Sequence, residues 1–175
     1  EVEASDCGRM LALDVGCGAG RDMVLMARML GAGWKVAGLD NDAGAMQRAE
    51  ELAQREGVAA QIETVHIELR KDSLPSHLSR AHLVHGCRFL DRRQLPYIRD
   101  EVLRESGLFV WCTFLQGTPR VRNGRSLERG ELRRIFVEEV PPDDAFEVLA
   151  DFEGELYTGG SYIGASFFAA FKPPK

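Results

Sequence analysis

The sequence has few of the residues that build metal centres or disulfide frameworks. Its four cysteines, Cys7, Cys17, Cys87 and Cys112, are far apart and form no Cys-x-x-Cys pair, and its four histidines do not cluster. Structural zinc sites and disulfide-rich folds both depend on closely spaced ligands or cysteines. The pattern argues against a metal site and against a disulfide framework, and it favours a reducing compartment.

Long hydrophobic runs are also missing, because the longest apolar stretches are far shorter than the roughly 20 residues that cross a bilayer. The sequence does not open with a charged segment followed by a hydrophobic one, as a signal peptide would. We therefore predict a soluble protein of the cytoplasm, or of an organelle matrix if a targeting segment has been removed. With 175 residues, 45% of them hydrophobic, the chain is predicted to form a single domain over residues 1–175.

The most informative feature present is a run of alternating glycines, Asp14-Val-Gly16-Cys-Gly18-Ala-Gly20-Arg21, between an apolar strand-like segment and the helix-like segment Asp22–Leu30. Glycines at alternate positions let the main chain adopt positive φ and approach a ligand closely, and a helix start offers unpaired N–H groups to an anion. Asp40, at the end of the next apolar run, is placed to accept hydrogen bonds from both hydroxyls of a ribose. The pattern predicts a site for a nucleoside-containing cofactor.

The rest of the chain alternates strand-like and helix-like segments, which predicts a mostly parallel sheet covered on both faces. The predicted strands are Met10–Val15, Trp34–Leu39, Gln61–Leu69, His82–Gly86 and Leu108–Phe114, and the further predicted helices are Ala43–Glu56, Gln94–Glu105 and Arg129–Val137. Towards the C-terminus, residues 146–152 and 163–171 alternate between apolar and other residues around the turn-rich Gly154–Ser161. This pattern predicts a hairpin at the sheet edge.

The glycine spacing separates two cofactor classes. A dinucleotide turn, Gly-x-Gly-x-x-Gly or Ala, would place the large charged Arg21 at its third glycine position, where it would obstruct helix–strand packing. The observed run instead resembles motif I of the class I S-adenosylmethionine-dependent methyltransferases. That resemblance implies an α/β fold: a three-layer Rossmann-like sheet, mostly parallel, with seven strands ending in an antiparallel C-terminal hairpin. A nucleotide-binding protein that prefers a dinucleotide is a weaker alternative.

Within that superfamily, the sequence is similar to the tellurite-resistance-type methyltransferases and to proteins that fuse such a domain to a rhodanese-like module. The similarity covers about residues 10–172. It is carried, beyond motif I, by Arg88-Phe-Leu-Asp-Arg92, Leu95-Pro96, Thr113-Phe114 and Gly130-Glu131-Leu132. The resemblance includes a family segment ahead of the first strand that helps to close over the cofactor, and we expect this segment to be short or missing here. The resemblance implies an S-adenosylmethionine-dependent methyltransferase that produces S-adenosylhomocysteine.

The resemblance also implies roles for individual residues in cofactor binding. Asp14 would orient the turn and reach the amino group of the cofactor, and Asp40 would bind the ribose diol. Glu68 would accept the adenine N6–H, a role for which Asp72 competes. The remaining predicted cofactor-binding residues are Gly16, Cys17, Gly18 and Gly20 in the turn, Arg21 for the carboxylate, Asn41 near the adenine, Leu69 through its backbone N–H, and Gly86. No metal-binding residues are predicted.

The sequence indicates the residues that would bind the methyl acceptor less clearly than those that would bind the cofactor. Methyl transfer from a sulfonium needs little acid–base chemistry, so the protein mainly aligns the nucleophile and excludes water. His85 is a candidate base and Arg88 a candidate cation for a small, soft anionic acceptor, with Arg92 and Arg93 either sharing that role or forming surface charges. Cys87 is a weak candidate nucleophile, because the sequence identifies no partner for it.

Charge distribution supports a second hypothesis. The net charges are −6 for residues 1–68, +7 for residues 69–134 and −6 for residues 135–175. A positive middle segment suits an anionic small molecule or an RNA backbone. The alternative function is therefore a weakly active or inactive scaffold in an RNA–protein or other assembly, held through Arg120, Arg122 and Arg125. The overall pI near 5.4 argues against general nucleic-acid binding. Enzymes that methylate the amino groups of DNA or RNA bases are also disfavoured, because they carry Asn/Asp-Pro-Pro-Tyr/Phe where this sequence has His85–Arg88.

Overall fold

A seven-stranded mixed sheet organises the protein. The computed structural model describes residues 9–69, 71–119, 121, 123–158 and 160–175. The sheet order is β3-β2-β1-β4-β5-β7-β6, with the first five strands parallel and β7 antiparallel to both of its neighbours. The strands are β1 (Met10–Val15), β2 (Trp34–Asp40), β3 (Ile62–His66), β4 (Ala81–Cys87), β5 (Leu103–Phe114), β6 (Glu147–Thr158) and β7 (Ser161–Phe171).

Helices cover both faces of the sheet. On one face, α1 (Arg21–Leu30) and α2 (Ala43–Arg55) pack Met23 and Ala49 against Ala12 and Val36. On the other face lie α3 (Gln94–Tyr97), which continues as a π-helical turn Ile98–Val102, and α4 (Glu131–Arg133), which continues as Arg134–Glu138. Short 3-10 turns lie at Ala59–Gln61, Ser76–Leu78, Asn123–Arg125 and Pro142–Asp144. Within the described residues, no helix combines the length and apolar character needed to cross a membrane.

The larger core lies on the α3 and α4 face and is built around aromatic side chains. Phe109, Trp111, Phe136 and Phe168 are each at most 2% exposed. Phe109 stacks on Phe136 with ring centroids 4.2 Å apart. These rings join β5, β7 and the turn after α4, so the last strands are held by burial of apolar surface.

The predicted fold class is confirmed. The fold has three layers, and its sheet is seven-stranded, mostly parallel and ends in an antiparallel hairpin. Several element boundaries differ from prediction, and β5 begins at Leu103 rather than at Leu108. β3 ends at His66 and does not reach Leu69, and the helix predicted to end at Glu105 stops at Val102. In the hairpin, β6 continues to Thr158 through part of the segment predicted as a turn. Gly154 is compatible with a strand here because it pairs with Ala165 in a regular antiparallel register.

The topology places the candidate site at one edge of the sheet. The strand order reverses between β1 and β4, so the loops that leave their carboxyl ends diverge to opposite faces. The carboxyl ends of β1, β2, β3 and β4 therefore surround a crevice. The glycine turn, Asp40, Glu68 and Arg88 all follow or end these strands.

Candidate functional site

The glycine turn joins β1 to α1 and is tied to the end of β2. Gly16, Gly18 and Gly20 have φ values of 74°, 53° and 75°, a left-handed conformation that side chains with a Cβ rarely adopt. The Gly16 and Cys17 N–H groups donate to the Leu39 carbonyl at 2.8 and 3.1 Å. The first hydrogen bond of α1 runs from Val24 N–H to the Gly20 carbonyl, so the preceding N–H groups point towards the turn.

A cavity of about 300 Å³ opens beside this turn. This volume is at the lower end of the roughly 300–1,000 Å³ found for small-molecule sites. Six of the predicted site residues lie in its wall: Gly16, Asp40, Asn41, Glu68, Leu69 and Arg88. Leu39, Ile67, Phe89, Leu90 and Arg125 complete the lining. The structure thus brings together residues from five segments that are up to 109 positions apart in the chain.

The Asp40 carboxylate is held in one orientation by the main chain. Its Oδ2 accepts a hydrogen bond from Gly18 N–H at 2.8 Å, and its Oδ1 accepts one from Asp42 N–H at 3.0 Å. Each carboxylate oxygen has a second lone pair, so both can accept a further hydrogen bond. The arrangement therefore presents a preorganised acceptor pair for the two hydroxyls of a ribose.

Two further residues of the cavity wall, Asn41 and Glu68, are linked by a hydrogen bond. The Asn41 Nδ2 donates to Glu68 Oε2 at 2.7 Å, and Glu68 lies two residues beyond the end of β3. The Asp72 carboxylate accepts the Glu68 N–H at 2.9 Å and so closes its own turn. Between the two acids that sequence reasoning left in competition, Glu68 is the one in the cavity wall. Leu69 is positioned by the Gln94 amide, which donates to its carbonyl at 2.6 Å.

Beneath the turn, Asp14 and His85 form a buried pair on adjacent strands. His85 Nδ1 lies 2.8 Å from Asp14 Oδ1, and Asp14 is 2% exposed. Burial raises the pKa of Asp14 although the His85 hydrogen bond opposes this. Burial lowers the pKa of His85, but the hydrogen bond and charge of Asp14, together with Asp22, outweigh it, so the His85 pKa is raised. Asp14 Oδ2 is buried without a hydrogen-bond partner among the described residues.

We expect the His85 imidazole to titrate above its ordinary pKa of 6.5, and the Asp14→Asn variant to lower that pKa below 6.5. The reason is that removal of the carboxylate charge leaves burial, which disfavours the imidazolium, as the largest influence. Imidazole NMR shifts followed between pH 5 and pH 9 measure the change. Asp42→Asn, which alters an acid at the α2 N-terminus, serves as the control and should leave the His85 pKa in place. An unchanged pKa in Asp14→Asn would contradict the pairing.

Three of the predicted cofactor-binding residues, Gly20, Gly86 and Cys17, pack the turn and its neighbour β4 against their surroundings. A Cβ on Gly20 would lie 2.6 Å from the Ala49 Cβ, and one on Gly86 would lie 2.4 Å from the Trp111 ring. These two glycines therefore allow close packing with α2 and with the core. Cys17 lies against Gly38 and Met46, and burial raises its pKa to about 12, so it is a neutral thiol. Arg21 is exposed at the start of α1.

The arginines after β4 divide into structural residues and a cavity residue. Arg92 donates through Nε and Nη2 to the buried Glu131, at 2.6 and 2.9 Å, and Arg93 pairs with Asp91 at 3.2 Å. Arg88 is exposed in the cavity wall, with φ at 58° and its N–H donating to the Cys112 carbonyl at 2.7 Å. Among the three, Arg88 is therefore the arginine that lines the cavity.

The positive middle segment is largely neutralised by the acidic C-terminal segment. Arg129 pairs with Glu153, Arg133 with Asp151 at 2.7 Å, and Arg134 with Glu139 at 3.3 Å. Arg120 and Arg122 lie outside the described residues, and Arg125 lines the cavity. These ion pairs reduce the positive charge that the described arginines can offer to RNA, so the structure does not favour the RNA-scaffold hypothesis.

Sequence reasoning did not name the cavity residues Leu39, Ile67, Phe89 and Leu90 as site residues, and it named Arg125 only as part of the positive segment that suits an anionic small molecule or an RNA assembly. Phe89 packs its ring over the turn, so that a Cβ on Gly16 would lie 2.6 Å from the Phe89 Cδ2 atom. Arg125 enters the cavity wall from a short 3-10 turn 37 residues after Arg88. Phe89 follows the predicted strand β4 directly, which is a usable signal. No local pattern indicates Arg125, since its position depends on how the loop after β5 folds back.

Comparison with known proteins agrees with this geometry. The family model described as "Methyltransferase domain" matches residues 12–105. A search of curated proteins finds no match.

Solved structures share the fold at low identity. They include a geranyl diphosphate C-methyltransferase from Streptomyces coelicolor A3(2) (16% identity, TM-score 0.68, covering 94% of this chain and 72% of that one). They also include a SAM-dependent methyltransferase from Aquifex aeolicus (18% identity, TM-score 0.63, covering 91% and 81%). The [4+2]-cyclase SpnF is similar as well (17% identity, TM-score 0.71, covering 96% and 76%). At such identities the likeness establishes the fold and not the reaction.

Proposed function

Because this chain belongs to the methyltransferase-domain family, we propose that it transfers a methyl group from S-adenosylmethionine to a small nucleophile that carries an anionic group. The observation that carries the proposal is the cavity beside the glycine turn, whose wall contains both Asp40, fixed by the Gly18 N–H, and the Asn41–Glu68 pair. Two of the structural neighbours are described with the same donor or its product, which supports this choice of cofactor.

The residues of the turn fit such a cofactor. A Cβ on Gly18 would meet nothing within 4 Å, so the space over the turn is open at that position. The unsatisfied Asp14 Oδ2 beneath it favours a cationic group nearby, as the amino group of the methionine part would be. We assign the ribose diol to Asp40 and the adenine edge to Glu68 and the Leu69 N–H. His85 is then a positioning residue that orients Asp14.

Methyl transfer from S-adenosylmethionine requires little proton transfer by the protein. When bound, S-adenosylmethionine supplies a methyl group already activated by a positively charged sulfur. Alignment of the nucleophile with that methyl group contributes about 7–11 kcal/mol when the geometry is good. The part left to this chain is therefore to hold the acceptor and exclude water. Arg88 and Arg125, which share the cavity wall, suit an anionic group on the acceptor because guanidinium binds carboxylates and oxyanions with paired hydrogen bonds.

We further propose that the chain belongs with the tellurite-resistance-type group of the family. The support is the segment Arg88–Arg92 and the Gly130-Glu131-Leu132 turn. These two segments are linked in the structure, because the Arg92 guanidinium donates two hydrogen bonds to the Glu131 carboxylate. The pair thereby holds the turn that carries Arg125 against the loop that carries Arg88.

The test is methyl transfer from isotopically labelled S-adenosylmethionine to a panel of small nucleophiles with and without an anionic group. We expect labelled product with anionic acceptors. Arg88→Gln should lower kcat/KM for them by about 10- to 100-fold, the equivalent of roughly 1.5–3 kcal/mol for a charged hydrogen bond. The affinity for the cofactor should change little.

Arg55→Gln, which changes an exposed arginine at the end of α2, is the matched control and should behave as the wild-type protein. Equal activity of Arg88→Gln and the control would contradict the assignment of Arg88. A loss of cofactor affinity without a change in acceptor preference would assign Arg88 to the cofactor instead. Absence of transfer to every acceptor, despite cofactor binding, would count against the anionic acceptor class.

A further inference from the structure

Two cysteines that are 25 positions apart lie side by side in the sheet. Cys87 is the last residue of β4, and Cys112 is its direct neighbour on the parallel strand β5. Directly paired residues of adjacent strands point their side chains to the same face. Both side chains are free thiols and half-buried. The pair lies outside the cavity wall and has no part in the function proposed above.

The face that carries the two thiols is open to solvent. Along β5, Trp111 and Thr113 are buried on the opposite face, whereas Val110, Cys112 and Phe114 are half-exposed. The helices on the thiol face, α1 and α2, pack over β1 and β2, away from β5. A small reagent can therefore reach the sulfur atoms without unfolding of the core.

The two neighbouring thiols shift each other's pKa. Their contact is the main reason that the pKa of Cys87 is lowered to about 6. Arg88 and His85 lower the pKa further, while burial and Asp22 oppose the shift. The same contact raises the pKa of Cys112. The pair is thus a thiolate and a thiol that share a proton, and thiolate is the nucleophilic and ligating form of cysteine.

The strand geometry favours a bridging atom between the sulfurs over a direct disulfide. Adjacent strands lie about 4.8 Å apart, and the Cβ atoms of a directly paired couple follow that spacing. A disulfide needs Cβ atoms about 3.5–4.5 Å apart, so it would be strained here. A larger atom bonded to both sulfurs relieves this requirement. Among the described residues, no group of three or more His, Cys, Asp or Glu side chains could hold a metal ion, so the site offers only two protein ligands.

We propose that Cys87 and Cys112 form a dithiol site for thiophilic trivalent metalloids. With a monosubstituted arsenical that carries two hydroxyl groups, two arsenic–oxygen bonds break and two arsenic–sulfur bonds form. Each hydroxyl group leaves as water and needs one proton to do so. The Cys112 thiol supplies one of these protons. Solvent supplies the other, because Cys87 has already lost its proton. Arsenic remains trivalent, so the step needs no oxidant or reductant.

Phenylarsine oxide, which forms the dihydroxy arsenical in water, is the probe. Intact-mass spectrometry should show one bound equivalent on the wild-type protein. This adduct should be released by 2,3-dimercaptopropanol and should resist 2-mercaptoethanol. Cys87→Ala and Cys112→Ala should each raise the dissociation constant at least about 100-fold, because a single thiol loses the effective concentration of the second. The double variant Cys7→Ser/Cys17→Ser keeps the pair and should bind as the wild type does.

Wild-type affinity in either alanine variant, or loss of binding in the Cys7→Ser/Cys17→Ser variant, would overturn the proposal. Alkylation supplies a second readout that does not depend on arsenical binding. Iodoacetamide should modify Cys87 with a rate midpoint near pH 6, and Cys112→Ala should move that midpoint to higher pH because the stabilising contact is lost. An unshifted midpoint in Cys112→Ala would show that the two thiols do not act together. Circular dichroism spectra that match the wild type ensure that each variant is folded.

Discussion

Asp40→Ala is expected to reduce the affinity of the protein for S-adenosylhomocysteine by about 100-fold or more. Its carboxylate is the acceptor pair proposed for the ribose diol, and a hydrogen bond to a charged group contributes about 1.5–3 kcal/mol. Loss of two such bonds corresponds to at least two orders of magnitude in the dissociation constant. The alanine also removes the acceptor for Gly18 N–H, so the glycine turn loses one of its attachments to β2. Isothermal titration calorimetry measures the change directly.

Asp40→Asn separates these two effects, because the amide oxygen still accepts a hydrogen bond from one N–H while the negative charge is lost. We expect intermediate affinity for this variant. Asp72→Asn changes an acid that closes a neighbouring turn outside the cavity wall, so it should bind as the wild-type protein does. Unaltered affinity in Asp40→Ala, with the wild type binding well, would remove Asp40 from the cofactor site. A wild-type protein that binds no cofactor would contradict the proposed function itself.

Glu131→Gln is expected to lower the free energy of unfolding by about 3 kcal/mol. Glu131 is 3% exposed and accepts hydrogen bonds from the Arg92 guanidinium and, at 2.8 Å, from the Glu128 N–H. Breaking a buried ion pair costs about 3–5 kcal/mol, and we expect the low end because the Arg92 side chain is 36% exposed. Urea denaturation followed by circular dichroism gives the value.

Glu56→Gln provides the comparison for this prediction. Glu56 pairs with Arg28 at 3.0 Å, but the two side chains are 32% and 61% exposed, and an exposed pair contributes about 0–1 kcal/mol. Equal destabilisation in the two variants would show that burial of Glu131 is not the source of its effect. Because Glu131 holds the turn that carries Arg125 near Arg88, the variant should also weaken acceptor binding at temperatures where it remains folded.

Much of the cofactor side of the site was predictable because its signals are local. Gly16 and Gly18 need positive φ at a strand–helix turn, and Asp40 ends the next buried strand, so a few adjacent residues specify each position. The alternation of strands and helices predicted the sheet, and the structure confirms it. The boundaries of β3 and of the hairpin were less accurate, because hydrogen bonding to the neighbouring strand decides where a strand ends.

The remaining site features depend on contacts between distant segments. Glycines look alike in sequence, and only the tertiary structure shows that Gly86 and Gly20 make room for Trp111 and Ala49. Cys87 looked like a single weak nucleophile until the register of β4 and β5 placed Cys112 beside it.

The sequence by itself determined the parallel sheet, the glycine turn and the acid that faces it, since hydrophobic periodicity and glycine φ act over a few residues. Only the tertiary structure decided which of the arginines face the cavity and which neutralise buried or C-terminal acids. Coulomb energy depends on separation in space and on burial, and neither quantity can be read from charges counted along the chain.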